Sequence, residues 1–168
     1  MKPIKYFILT FILISTLSFC NKQKKDAESA LLEEFLASQD TVISVDGKDI
    51  YIIPTGFSTP ETTQNIGPGT GDTIVSIFKG YLLADYVGYM QTDPSKIIDE
   101  ADITNPQKYA YLEDNVIVGW QIAMGEMRKD QSALIVIHSD YAYKVDQVGL
   151  IPPFSTLIYE VRILDIIE

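Results

Sequence analysis

Two spacings of apolar residues run along the chain and divide it into strands, helices and turns. Strict alternation marks 155–166, where Leu157, Tyr159, Val161 and Ile163 share one side of a strand. "TIVSIF" (73–78) and "SALIVIHS" (132–139) are β-branched runs of the same kind. The stretches 80–90 and 109–112 are expected to add two further strands. In "TVISVDGKDIYII" (41–53), Asp46-Gly47 separates two such runs and supplies the positive φ angles of a type I′ hairpin turn. Helical spacing occurs twice. Leu31, Leu32, Phe35 and Leu36 fall on one face of a predicted helix over 26–38, with Asp26 as its cap. In "VIVGWQIAMGEM" (116–127), a β-branched run gives way at Gly119 to Trp120, Ala123, Met124 and Met127, one face of a short helix. Between these elements, 54–72 is a loop dense in Pro, Gly and Thr, and 91–108 is a polar, turn-rich connection. The expected fold class is α+β: a mainly antiparallel sheet, one short central helix, and an N-terminal helix and hairpin.

The chain has 168 residues, and its first 19 are read as a leader. Lys2 and Lys5 precede the uncharged apolar run "YFILTFILISTLSF" (6–19), which is short for a membrane span of about 20 residues. Leu17-Ser18-Phe19-Cys20 resembles a bacterial lipoprotein signal, in which the cysteine becomes the lipidated N-terminus; Phe19 departs from the small residue usual there. A plain secretory signal or an uncleaved anchor are the other readings. The division expected is a leader at 1–19, a segment at 20–70 holding a polar tether at 21–26, the helix, hairpin and loop, and a main domain at 71–168. Cys20 is the only cysteine, which excludes a disulfide framework and thiol chemistry. Without the leader, 11 basic residues face 23 acidic ones, a net charge of −12. Such a surface repels nucleic acid.

Four stretches, "GDTIVSIFKGYL", "VIVGWQIAMGEM", "HSDYAYK" and "GLIPPFSTLIYEVRIL", resemble in order and spacing the FKBP family of peptidyl-prolyl cis-trans isomerases. The resemblance covers roughly residues 71–168 and implies a twisted antiparallel sheet curled around the short helix that starts near Gly119 and carries Trp120 on its first turn. It implies that the proline ring of a substrate rests on Trp120, that the backbone N–H of Ile117 meets a substrate carbonyl, and that Tyr143 hydrogen-bonds the bound peptide. Phe78 stands where the family usually has tyrosine. Tyr109 matches an aromatic wall, Val116 shares the pocket base, Leu150 and Ile151 line the loop before Pro152-Pro153, and Tyr159 replaces a phenylalanine. For each aromatic, core packing is the alternative reading. The family's usual Phe-Asp pair maps onto Tyr89-Met90, which keeps the aromatic wall and loses the carboxylate. Lys144 replaces the glycine usual after Tyr143.

The chemistry implied needs no nucleophile, metal or cofactor. The X–Pro amide rotates over a barrier of about 18–20 kcal/mol because conjugation holds it planar. A dry aromatic pocket disfavours the planar, polar ground state relative to the twisted one. The expected partners are proline-containing polypeptides and, through Cys20, a membrane. With Met90 in place of an acid, a non-catalytic peptide-binding or chaperone module is the alternative to an enzyme. Other candidate chemistry is weak. "GPGTGD" (67–72) lacks the Lys-Ser/Thr of a phosphate-binding loop. His138 reads as structural or pocket-rim, and Asp99, Glu100 and Asp102 as a solvated acidic loop.

Overall fold

The computed structural model describes the backbone of residues 4–56, 67–89 and 93–168, and the side chains of 21–56, 67–88 and 93–168. The leader's side chains, the Cys20 thiol, the Tyr89 side chain and Met90 therefore lie outside the described residues. In chain order the elements are α1 (Ile4–Ala37), β1 (Ile43–Ser44), β2 (Ile50–Pro54), β3 (Thr73–Leu82), α2 (Leu83–Tyr89), β4 (Asp99–Ala101), β5 (Gln107–Ala110), α3 (Val118–Glu126), β6 (Ser132–Ile137) and β7 (Leu157–Ile167). Single 3-10 turns sit at Pro94–Lys96 and Ser139–Tyr141.

All seven strands join one antiparallel sheet in the order β1-β2-β6-β7-β3-β4, with β5 also on β3. The expected α+β architecture is the one observed. β3 and β7 form the spine, paired from Thr73↔Ile167 to Leu82↔Leu157. The hairpin at 41–53 forms as its turn chemistry predicts. Asp46 (φ 50°) and Gly47 (φ 64°) hold the positive angles, and Lys48 N–H donates to the Val45 carbonyl at 2.9 Å. The hairpin is integral to the sheet, because β2 pairs with β6 over five residues.

The alternation along β7 sorts the interior into two layers. Leu157, Tyr159, Val161 and Ile163 face one layer with Trp120, Ala123, Met124 and Met127 of α3 and Ile50, Ile52, Ile135 and Ile137 of the neighbouring strands. Ile158 faces the other layer, where Leu32 and Phe35 of α1 pack on Ile53, Tyr81, Leu83, Tyr86 and Val136. Leu31 and Leu36 flank that contact, so the apolar face expected of the first helix is the one it buries.

Three expectations are corrected. The first helix is not confined to 26–38: it runs from Ile4, and the supposed tether at 21–26 is part of it. That stretch contains no glycine or proline to stop a helix, and Asp26 lies inside rather than at a cap. The 80–90 stretch is not a separate strand. Gly80–Leu82 continue β3, and Leu83–Tyr89 turn into α2, whose Leu83 and Tyr86 are one helical turn apart and both bury against α1. Phe35 and Tyr86 meet edge to face at 6.0 Å. Finally, 91–108 is not only loop. A Lys96–Asp85 ion pair (3.1 Å) ties its 3-10 turn to α2, and β4 and β5 both add to the outer edge of β3. Asp102 breaks these two strands apart, its carboxylate accepting from Thr104 N–H (2.8 Å) and Asn105 N–H (2.9 Å). No helix among the described residues is long and apolar enough to cross a membrane.

Candidate active site

A cavity of about 440 Å³ opens on the α3 side of the sheet. Its floor is Trp120, which is 4 % exposed. Three rings close into a triangle there. Trp120 lies 5.2 Å from Phe78 and 5.0 Å from Tyr159, Phe78 lies 5.8 Å from Tyr159, and each pair is edge to face. The sheet register builds this cluster. Phe78 and Gly80 sit on the inner face of β3, and Gly80 pairs with Tyr159 of β7 on one side and Asp99 of β4 on the other. A Cβ on Gly80 would come within 2.5 Å of Tyr159 Cε1, so the ring lies in the space a side chain would fill.

The start of α3 supplies the next part. Ile117 is its N-cap, extended at φ −60° and ψ 142°, and its carbonyl accepts from Trp120 N–H (3.0 Å) and Gln121 N–H (3.3 Å). Among the described residues no acceptor takes the Ile117 N–H. Ile117 borders the cavity together with Val116, so an unpaired backbone donor stands beside an aromatic floor. Gly119 lets α3 approach this closely, because a Cβ there would lie 2.3 Å from Ile137 Cγ2.

The opposite rim is the segment after the second 3-10 turn. Buried His138 caps that turn, its Nδ1 accepting from Asp140 N–H at 3.3 Å, which fits the structural reading of this histidine. The chain then delivers Ala142, Tyr143 and Lys144 to the cavity. Lys144 adopts φ 56°, the left-handed conformation that favours glycine. Its N–H donates to Ser139 O (2.9 Å), and its carbonyl accepts from Phe154 N–H (2.7 Å) of the Pro152-Pro153 loop.

The acid missing from position 90 is present elsewhere. Asp99, read from sequence as part of a solvated loop, is on β4 and borders the cavity near Tyr143 and Tyr159. The Ile98-Asp99 pair, rather than Tyr89-Met90, brings a carboxylate to the pocket. The side chain keeps solvent contact at the rim, yet partial loss of hydration raises its pKa, and the Glu100 charge adds to this against a backbone hydrogen bond that lowers it. Burial raises the Tyr143 hydroxyl pKa, and the Asp99 carboxylate raises it further. Tyr159 is raised as well, by burial first, then by Tyr143 and by the Asp99 carboxylate.

Of the residues expected at the site, Phe78, Val116, Ile117, Trp120, Tyr143 and Tyr159 come together around one cavity. Tyr109 does not form a wall: it is 4 % exposed in the core, without bordering the cavity. Burial raises its hydroxyl pKa, while the nearby Trp120 indole N–H opposes this without completing a normal hydrogen bond. Leu150 does not line the pocket either; it is 80 % exposed at the loop tip, because the tight Val148↔Ile151 bridge turns it outward. Ile151 packs on the core instead of the cavity. Sequence reasoning missed Asp99, Gln107 and Asn115 on the cavity wall.

The comparisons with known proteins agree with this geometry. Residues 69–164 match the family model described as FKBP-type peptidyl-prolyl cis-trans isomerase. FK506-binding protein 1B of Emericella nidulans is 34% identical over 92 residues, which cover 54% of this chain and 77% of that protein. Peptidyl-prolyl cis-trans isomerase Fkbp12 of Drosophila melanogaster is 30% identical over 102 residues, covering 60% of this chain and 93% of that protein. Among solved structures, a peptidyl-prolyl cis-trans isomerase from Pseudomonas syringae superposes with a TM-score of 0.66 at 25% identity, over 88% of this chain and 96% of that one. FkpA from Escherichia coli shares the fold with a TM-score of 0.66 at 22% identity, over 98% of this chain and 71% of that one.

Proposed function

This chain belongs to the FKBP-type peptidyl-prolyl cis-trans isomerase family, and we propose that the cavity over Trp120 is its isomerase centre. The observation that carries the assignment is the unpaired Ile117 N–H beside a buried aromatic floor. A proline ring seated against the cluster of Trp120, Phe78 and Tyr159 meets an apolar surface there. The planar X–Pro amide has charge separated between oxygen and nitrogen, and an apolar enclosure solvates that charge poorly. Twisting removes the conjugation and with it the separation, so the enclosure favours the twisted amide. The Ile117 N–H holds a neighbouring carbonyl while the bond turns. Tyr143 and Asp99 add a hydroxyl and a carboxylate at the rim to orient peptide N–H and C=O groups.

The alternative, a binding module without turnover, draws its support from Met90 in place of an acid. Asp99 removes that support. The natural substrates in this reading are proline-containing segments of exported polypeptides, whose uncatalysed isomerisation takes tens to hundreds of seconds. The anchor is a lipid at Cys20 in a bacterial envelope.

The test is the isomerisation rate of short X–Pro peptides with protein lacking residues 1–19. Wild type accelerates the reaction, and Trp120→Leu, which keeps an apolar core, loses at least about ten-fold in kcat/KM. A folded wild type with no acceleration refutes the assignment.

A further inference from the structure

The rim that carries Tyr143 is backbone held against its own preference. Lys144 (φ 56°) and Phe154 (φ 62°) both adopt the left-handed conformation that L side chains disfavour. They belong to different segments, 139–144 and 152–156. One hydrogen bond joins them, from Phe154 N–H to the Lys144 carbonyl at 2.7 Å. Two strained residues tied to each other persist only where their surroundings fix both segments.

Each segment has an internal fastening. Lys144 N–H donates to Ser139 O at 2.9 Å, and Ser155 Oγ donates to Pro152 O at 2.8 Å. From outside, α1 reaches both. Lys25 Nζ lies 3.3 Å from Asp140, the residue after Ser139, and this exposed pair adds little. The other contact differs. Glu28 Oε1 accepts from Thr156 N–H at 2.7 Å, two residues beyond Phe154. Thr156 is fully buried, and no other acceptor among the described residues takes that N–H. A buried amide left unpaired is costly, so loss of the carboxylate drives the backbone at 154–156 to shift.

We propose that Glu28 is a positioning residue for the isomerase centre: by holding Thr156 it fixes the Phe154–Lys144 bond, and with it the place of Tyr143 on the cavity rim. This rests on the cavity being that centre. The aromatic floor does not depend on the clamp, because α3 and the β3–β7 register set Trp120, Phe78 and Tyr159. Loss of Glu28 therefore weakens the hold on the peptide and leaves rotation of the amide nearly intact.

Glu28→Ala and Glu28→Gln are compared with wild type on the full-length chain in detergent, well below the melting transition. Glutamine keeps an oxygen that accepts. In Glu28→Ala, KM for a short X–Pro peptide is expected to rise roughly three- to ten-fold, what one peptide hydrogen bond contributes, with kcat changed by less than about two-fold. Glu28→Gln restores most of the affinity, and hydrogen exchange at Phe154 N–H speeds up in step with KM. In a Lys144→Gly background the effect of Glu28→Ala on KM shrinks, because glycine holds the left-handed angle unaided. Glu28→Asp, whose carboxylate falls one methylene short, serves should the alanine variant fail to fold. An unchanged KM in the folded variant, or an effect of equal size in the Lys144→Gly background, overturns the proposal and leaves Glu28 a stabilising contact only. Absence of turnover in wild type refutes the isomerase centre instead. Peptide affinity, read from the fluorescence of Trp120, the only tryptophan, then decides the clamp, and equal affinity in wild type and Glu28→Ala overturns it.

Discussion

Two single residues set opposite balances around the cavity. Asp99 has a folded-state pKa above its ordinary value, chiefly from lost hydration. A carboxyl raised in this way favours the fold most when protonated, and that contribution disappears as pH rises through the folded pKa. Asp99→Asn is therefore expected to raise the melting temperature at neutral pH, with the gain vanishing as pH falls below the carboxylate range. Melting curves over about pH 3 to 8, from the lower end of carboxyl titration to past neutrality, check this. The same variant is expected to lower isomerisation, so the acid works for function at the expense of stability. Lys144 holds a left-handed backbone at φ 56°, where an L side chain costs about 1–2 kcal/mol. Lys144→Gly relieves that cost and adds some unfolded-chain entropy, for a net gain of about 0.5–1 kcal/mol in urea unfolding. Lower stability of the variant would show that the lysine side chain compensates. Trp120, Ile117 and Tyr143 were legible because each lies in a short contiguous motif. Asp99 was not, because α2 and the 3-10 turn stand between β3 and the acid and displace any count from Gly80. The signal available was the apolar-acid pair Ile98-Asp99 after the Asp93-Pro94 turn. Gln107 was hidden by its polarity, although it shares a strand face with Tyr109, two residues on.

Among the elements, α1 is the one whose role sequence left open. Its apolar stripe was legible from spacing; its docking partners were not, since they lie on four separate strands and on α2. Two polar contacts complement that stripe. Glu28 accepts from Thr156 N–H at 2.7 Å, and Lys25 lies 3.3 Å from Asp140 in the 3-10 turn before Tyr143. Thr156 also accepts from Leu83 N–H at 2.9 Å, so one residue joins α1, α2 and the start of β7. The Lys25–Asp140 pair is exposed and contributes little. The Glu28 bond is part-buried and charged at one end. Glu28→Ala is expected to cost about 1.5–3 kcal/mol and to speed hydrogen exchange at Thr156. Unchanged exchange there would mean that the apolar contacts alone hold the helix. The strands of 132–139 and 155–166 were readable from alternation, whereas α2 was not: a run of Leu, Tyr and Val suits a strand as well, and only burial against α1 decides.

For the whole molecule, one sheet carries both layers, and the hairpin and N-terminal helix are parts of the folded unit rather than appendages. The proposed anchor is tested by Cys20→Ala, which is expected to move the protein from the membrane to the soluble fraction on cell breakage; unchanged sedimentation would refute lipidation. With Cys20 lipidated, the docking of α1 also fixes reach. The helix is continuous from Cys20 to Glu28, a span of about 12 Å at 1.5 Å per residue. A flexible linker of eight residues would average a similar separation, about 15 Å, but would sweep every direction. In the proposed lipidated form, a helical mount would limit how far the mouth can stand from the lipid. So mounted, the enzyme would sample chains only as they pass close to the bilayer, and a proline carried farther out in the same chain would be beyond its range.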